Sequence, residues 1–164
     1  MSDKPAKPAL PAWEELARGV GCPLCEPRVK IDDKHYFVIK LPVSSVYLSR
    51  NQTNLGYCTL VYDPRHVTRM EDLTEEEYVA FNSDLYVLSR ALSSTFSPDH
   101  MNYAILGNNV PHLHWHVIPR YQTDPRWRQP VWRTRIEEID VVWLKDEDCE
   151  LIAKKIRNAV KPLL

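Results

Sequence analysis

Three histidines, His112, His114 and His116, occupy alternate positions of PHLHWHVI (residues 111 to 118) in a chain that has six histidines in all. Residues two apart on an extended strand share a face. The spacing therefore predicts three imidazoles along one side, with Leu113, Trp115 and Val117 giving the other side apolar surface to bury. A helix would scatter the three rings around its circumference. Imidazole is the side chain whose ordinary pKa lies nearest neutrality, so such a row can supply a nucleophile, a hydrogen-bond donor or a metal ligand. Cys22 and Cys25 form the second constellation, CPLC. A C-x-x-C pair is a redox dithiol, half of a tetrahedral zinc site, or two free thiols. The redox use wants a strand before the first cysteine and a helix starting at it, and nothing upstream reads as a strand. A zinc site needs two more nitrogen or sulfur donors, and His66 and His112 are available. Cys58 and Cys149 lie in periodic apolar contexts and read as buried thiols.

The elements that must position these groups are legible in outline. A short helical turn fits PAWEELARG (11 to 19), ended by Gly19 and Gly21. HYFVIKL (35 to 41) and SSVYLSR (44 to 50) read as an antiparallel pair around Pro42, and YCTLVY (57 to 62) as a third strand ended by Asp63 and Pro64. Thr74 opens the clearest helix, because Glu77 stands three residues on, as a capping box requires, and acids fill the first turn. Tyr78, Phe81, Leu85, Leu88 and Leu92 set its apolar face through about residue 95. MNYAILG (101 to 107) reads as a fourth strand and the histidine segment as the fifth. Leu151, Ile152, Ile156, Ala159 and Val160 predict a last helix. Strands joined by hairpins or by one long helix give an α+β class with an antiparallel sheet.

The 164 residues suit one domain, 13–164, behind a disordered proline-rich lead, 1–12, and with a C-terminal extension from about 121 to 164. No apolar run approaches the ~20 residues of a membrane span. The N-terminus has no apolar signal core, and the expected setting is cytoplasmic. A net charge of −1 provides no field for a polyanion, which argues against nucleic acid as a partner. Charge is nonetheless uneven: five arginines stand between Arg120 and Arg135, and seven acids between Glu137 and Glu150. These stretches either neutralise one another or present some arginines to phosphate. In YQTDPRWRQPVW (121 to 132), Trp127 and Trp132 suit stacking on a base with Arg126 or Arg128 at a distal phosphate, or else anchoring of the C-terminal segment.

With GNN before it and PR after it, HLHWHVI resembles the pattern of the histidine-triad (HIT) family of nucleotide hydrolases and transferases, His-φ-His-φ-His-φ-φ with φ apolar. The resemblance runs from about Cys22 to Arg120, and VPHLHWHVIPRY is similar to bacterial members described as diadenosine tetraphosphate hydrolase-like. It implies an α+β fold with a five-stranded antiparallel sheet, a long helix and a C-terminal helix, commonly paired as a homodimer, with a dinucleoside polyphosphate or nucleotide conjugate as substrate; the alternative is a non-catalytic nucleotide-binding or regulatory module with structural zinc. It implies that the middle histidine, His114, attacks the α-phosphorus to form a covalent nucleotidyl-histidine that water hydrolyses, and that His116 contacts the phosphate or the departing oxygen. Asn102, Asn108 and Asn109 stand where members supply phosphate contacts, and Ser49 where members face the ribose. Members with an N-terminal C-x-x-C imply one structural zinc per chain on Cys22, Cys25, His66 and His112. The chain departs from the pattern at Tyr57, where many members carry a further histidine. A phenol donates a hydrogen bond but, with a pKa of about 10, shuttles protons poorly at neutral pH.

Overall fold

The computed structural model describes residues 11–25, 33–132 and 141–164. Most of the expected lead and residues 133–140 of the expected extension lie outside them. Five strands form one antiparallel sheet in the order β1-β2-β3-β5-β4, with β1 His35–Lys40, β2 Ser44–Ser49, β3 Cys58–Tyr62, β4 His100–Ala104 and β5 His114–Arg120. Two longer helices cover one face: α2 (Glu75–Phe96) follows β3, and α3 (Asp146–Val160) packs on α2 and β1. A short α1 (Trp13–Ala17) precedes the cysteine pair. The α+β class and the five-stranded antiparallel sheet are as expected.

Register decides what each face carries. Val61 pairs with His114, Thr59 with His116, and Ala104 with His116. One face therefore presents His114 and His116 with Thr59, Ala104 and Asn102, and farther across it Tyr47, Ser49, His35 and Phe37. The opposite face sends Val46, Leu48, Leu60 and Val117 into the core beneath the helices.

The capping box of α2 forms as the sequence predicts: Glu77 N donates to Thr74 Oγ1, and Thr74 N donates to Glu77 Oε2 at 2.9 Å. Its buried side differs from the expected stripe. Phe81, Leu88 and Leu92 are buried, but Ala91 and Asp84 complete the face, Leu85 sits at its margin, and Tyr78 is 46% exposed. Asp84 is tolerated because its carboxylate accepts from Val43 N at 3.0 Å and Ser44 Oγ at 2.6 Å, tying the helix to the β1–β2 turn. In α3, Leu151 faces solvent, and Cys149, Ala153, Ile156 and Val160 form the buried stripe. That helix starts at Asp146, earlier than the apolar residues indicate. Its first turn is acidic, which suits the positive helix end, and the buried Arg50 reaches Asp146 at 2.5 Å.

The histidine strand needs a larger correction. β5 begins at His114, so His112 is not in the row of imidazoles. It precedes the strand, where its Nε2 donates to Tyr62 O at 2.7 Å and its Nδ1 turns to the cysteines.

Candidate functional site: a paired-histidine face beside a cysteine-histidine cluster

Cys22, Cys25, His66 and His112 converge, their donor atoms all within 4.8 Å of one another. Sγ to Nδ1 separations are 3.6 Å for Cys22 to His112, 3.6 Å for Cys25 to His112 and 3.1 Å for Cys25 to His66. A tetrahedral ion at about 2.3 Å from sulfur and about 2.0 Å from nitrogen sets such separations at roughly 3.5 Å. The imidazoles are also in the right tautomer. His112 gives Nε2–H to Tyr62 O, and His66 gives Nε2–H to Ala17 O at 3.2 Å, so each leaves Nδ1 bare toward the cluster. The four residues can hold a metal ion, and with four protein donors the site would be closed, with a structural role.

His114 is buried, and its Nδ1–H donates to His112 O at 2.5 Å. Its Nε2 therefore carries the lone pair. Burial holds its pKa below the usual histidine value, against the opposing pull of that hydrogen bond, so the ring is neutral and nucleophilic at neutral pH. The His116 ring lies 4.9 Å from it, edge to face. Burial first, then the neighbouring His114 and His35, push the His116 pKa down to about 4. The Tyr57 hydroxyl lies 2.8 Å from His116 Nδ1. Burial raises the phenol to about 12, so it keeps its proton. The pair therefore has two arrangements: the phenol donates to Nδ1 with the His116 proton on Nε2, or Nδ1–H donates to the phenol oxygen.

Tyr57 is held in place by its loop. Gln52 Nε2 donates to Ser49 O at 2.7 Å and to Tyr57 O at 3.2 Å, while Gly56 N donates to Gln52 Oε1 at 2.6 Å. Gly56 has φ +88, and a Cβ there would meet the Phe96 ring at 2.7 Å, so only glycine fits.

Of the other sequence candidates, Ser49 is buried at the end of β2 on the histidine side. Asn102 is half-buried in β4, and its Oδ1 accepts from Arg120 Nη1 at 2.6 Å. Asn108 and Asn109 lie exposed in the loop between β4 and His112. His35 escaped sequence reasoning, and Trp132, a candidate for base stacking, was not expected beside His116. His35, on β1, is close enough to depress both active-face histidines. Trp132 sets its ring 5.5 Å from His116. The alternation of HYF in β1 could have suggested His35, whereas nothing local places Trp132.

Trp132 gets there through a buried polar knot. Asp124 accepts from Arg120 Nε at 2.6 Å, Asn54 Nδ2 at 2.8 Å and Arg126 N at 2.8 Å, while Arg126 Nη2 donates to Asn54 Oδ1 at 2.9 Å. Burial alone would raise the Asp124 carboxyl, but these donors hold it below the usual range. Arg120 and Arg126 are therefore structural ties, and the part of the arginine-rich stretch beyond Trp132 lies outside the described residues. A cavity of about 670 Å³ opens between β4 and residues 127–132.

A neutral nucleophilic imidazole beside a second, neutral imidazole, on one face of an antiparallel sheet, defines a class. The HIT domain model matches residues 33–123, and the chain belongs to the HIT-domain family. Over 105 residues it is 28% identical to the bis(5'-nucleosyl)-tetraphosphatase (asymmetrical) of Schizosaccharomyces pombe, covering 56% of this chain and 58% of that protein. It thus matches little more than half the length of that relative. Among solved structures it is similar to a histidine triad protein of Bradyrhizobium japonicum (TM-score 0.72, 24% identity, 84% of this chain and 99% of that one). It is also similar in fold to a Zn-bound histidine triad family protein of Mycobacterium smegmatis (TM-score 0.55, 19% identity, 77% of this chain and 84% of that one).

Proposed function

We propose that the protein is a nucleotide hydrolase or nucleotidyl transferase that cleaves at the α-phosphate of a dinucleoside polyphosphate through a covalent intermediate on His114. The observation that carries this reading is the bare Nε2 of His114, set by the bond from its Nδ1–H to His112 O, beside a second imidazole whose Nδ1 lies 2.8 Å from the Tyr57 hydroxyl. The His114 lone pair forms a bond to phosphorus as the bond to the leaving oxygen breaks, and that oxygen keeps the electron pair. His114 becomes cationic, and His112 O, already accepting from its Nδ1–H, stabilises the charge. Water then attacks phosphorus, the phosphorus–nitrogen bond breaks, His114 returns to neutral and a proton is released. With Tyr57 donating to its Nδ1, His116 offers a hydrogen bond from Nε2 rather than a proton, since losing one would leave an imidazolate. That suits a polyphosphate leaving group, which departs without protonation, better than an amine. Ser49 on the ribose and Asn102, Asn108 and Asn109 near the phosphates complete the reading.

Structural zinc belongs to the same proposal: Cys22, Cys25, His66 and His112 would hold one ion per chain, fixing His112 and with it the carbonyl that orients His114. So does a homodimer, for which the outer side of α2 supplies exposed Tyr78, Val79 and Tyr86. All four cysteines are free thiols, which suits the reducing cytoplasm. Among the described residues no helix is long and apolar enough to cross a membrane.

The test is intact-mass spectrometry after an acid-free quench with diadenosine tetraphosphate. Wild type should show an adenylyl adduct or release nucleotide, and His114→Ala should do neither. Nucleotide binding with no turnover in wild type would replace this reading with a non-catalytic nucleotide-binding module.

A further inference from the structure

The sheet order places the two histidines asymmetrically. On one side of β5 lie β3, β2 and β1, and on the other only β4. The 670 Å³ cavity is on the β4 side, bounded by Ala104 and Asn102 of the strand and by Trp127, Arg128 and Trp132 of the loop. It meets the active face at His116, since Ala104 is the residue paired with His116 and the Trp132 ring touches the His116 ring. Its lining combines the half-exposed Trp132 indole with the exposed Arg128. Arg126, the other arginine of this loop, is committed to Asn54 and to Val131 O at 2.5 Å, and Arg120 to Asp124 and Asn102. Arg128 is exposed and sits at φ +66, a left-handed conformation unusual for a residue with a side chain. The Asp124 knot fixes the loop that carries both tryptophans, so this aromatic wall is preorganised rather than draped.

We infer that the cavity between β4 and residues 127–132 is the site for the departing half of the substrate, a nucleoside whose base stacks on Trp132 and whose phosphate chain passes Arg128. This rests on the proposed chemistry at His114, and it adds the part of the molecule that is recognised beyond the scissile bond. Base-on-indole stacking is tolerant of base identity and is worth roughly tenfold or more in affinity. The site therefore selects for a second nucleoside without reading which one.

The experiment compares two substrates with the same phosphate chain, diadenosine tetraphosphate and adenosine 5'-tetraphosphate, which differ only in the second nucleoside. Wild type should prefer the first in kcat/KM, and Trp132→Ala should shrink that preference about tenfold, with Trp132→Phe restoring most of it. Equal losses on both substrates, or no change in their ratio, overturn the inference, because Trp132 would then act on His116 or on nothing. Calorimetry on His114→Ala protein, with and without Trp132→Ala, reads the same ratio as affinity. Absence of turnover in wild type with the ratio still lost on Trp132→Ala would sink the catalytic reading and keep the subsite. An intact affinity ratio would sink the subsite.

Discussion

At the scale of single residues, the site is organised by which nitrogen of each imidazole holds a proton. His114 and His116 sit on adjacent steps of one strand face, yet their Nδ1 atoms meet opposite partners, a carbonyl oxygen and a phenol O–H. Tyr57 cannot carry an imidazolium charge, but in the proposed arrangement it donates to Nδ1 and holds His116 as an Nε2 donor. Tyr57→Phe removes the donor to Nδ1, so neutral His116 becomes free to take either tautomer and protonation becomes easier. The expected outcome is a rise in the His116 NMR titration midpoint, with burial, His114 and His35 still holding it below the ordinary histidine range. A fall in kcat of about tenfold should accompany it, the equivalent of one hydrogen bond, with little change in KM. The sign follows from the proposed arrangement: a phenol donating to unprotonated Nδ1 favours the neutral ring, so its loss raises the pKa. An unchanged midpoint would show that the phenol does not hold the tautomer.

At the scale of elements, α2 carries two apolar sides. The inner one, Phe81, Leu88, Ala91 and Leu92, is spent on the core, and Asp84 within it is spent on the β1–β2 turn. The outer one sets Tyr78, Val79 and Tyr86 at 46%, 56% and 63% exposure, three large side chains on one helix side. If α2 is the dimer face, light scattering should give twice the 19.2 kDa of one chain. Tyr86→Lys should shift the population toward monomer without unfolding it, since the substituted residue lies away from the core. A monomeric wild type at micromolar concentration would remove this role from α2.

At the scale of the whole molecule, two cross-links set the precision of the active face. One is the cysteine-histidine cluster, which ties the N-terminal segment to the turn after β3 and to the start of β5. The other is the Asp124 knot, which ties the segment after β5 to the loop before β3. Metal analysis of purified protein should find about one zinc per chain, lost in Cys22→Ser. Removing a closed structural site should also lower Tm by at least roughly 5 °C. Turnover should fall with it, because His112 is both a ligand of the cluster and the residue whose carbonyl orients His114. Metal-free protein that keeps its Tm would show that the four residues do not need an ion.

Some of this was determined by the sequence alone. Thr74 and Glu77 specify the start of α2 because a capping box is complete within four residues, and the alternation of His114, Trp115, His116 and Val117 assigns faces because strand geometry has period two. The four residues of the cysteine-histidine cluster could be named from their types and the family pattern. Only the tertiary structure decided the rest. His112 left the row of imidazoles because Tyr62 O, fifty residues away, and the cysteines claim its two nitrogens. Tyr57 met His116 through the register of β3 on β5, and Trp132 met it through a knot joining Asn54 to Asp124, seventy residues apart in the chain. Such pairings depend on loop closure and strand register, which are global properties of the chain, and no local spacing encodes them.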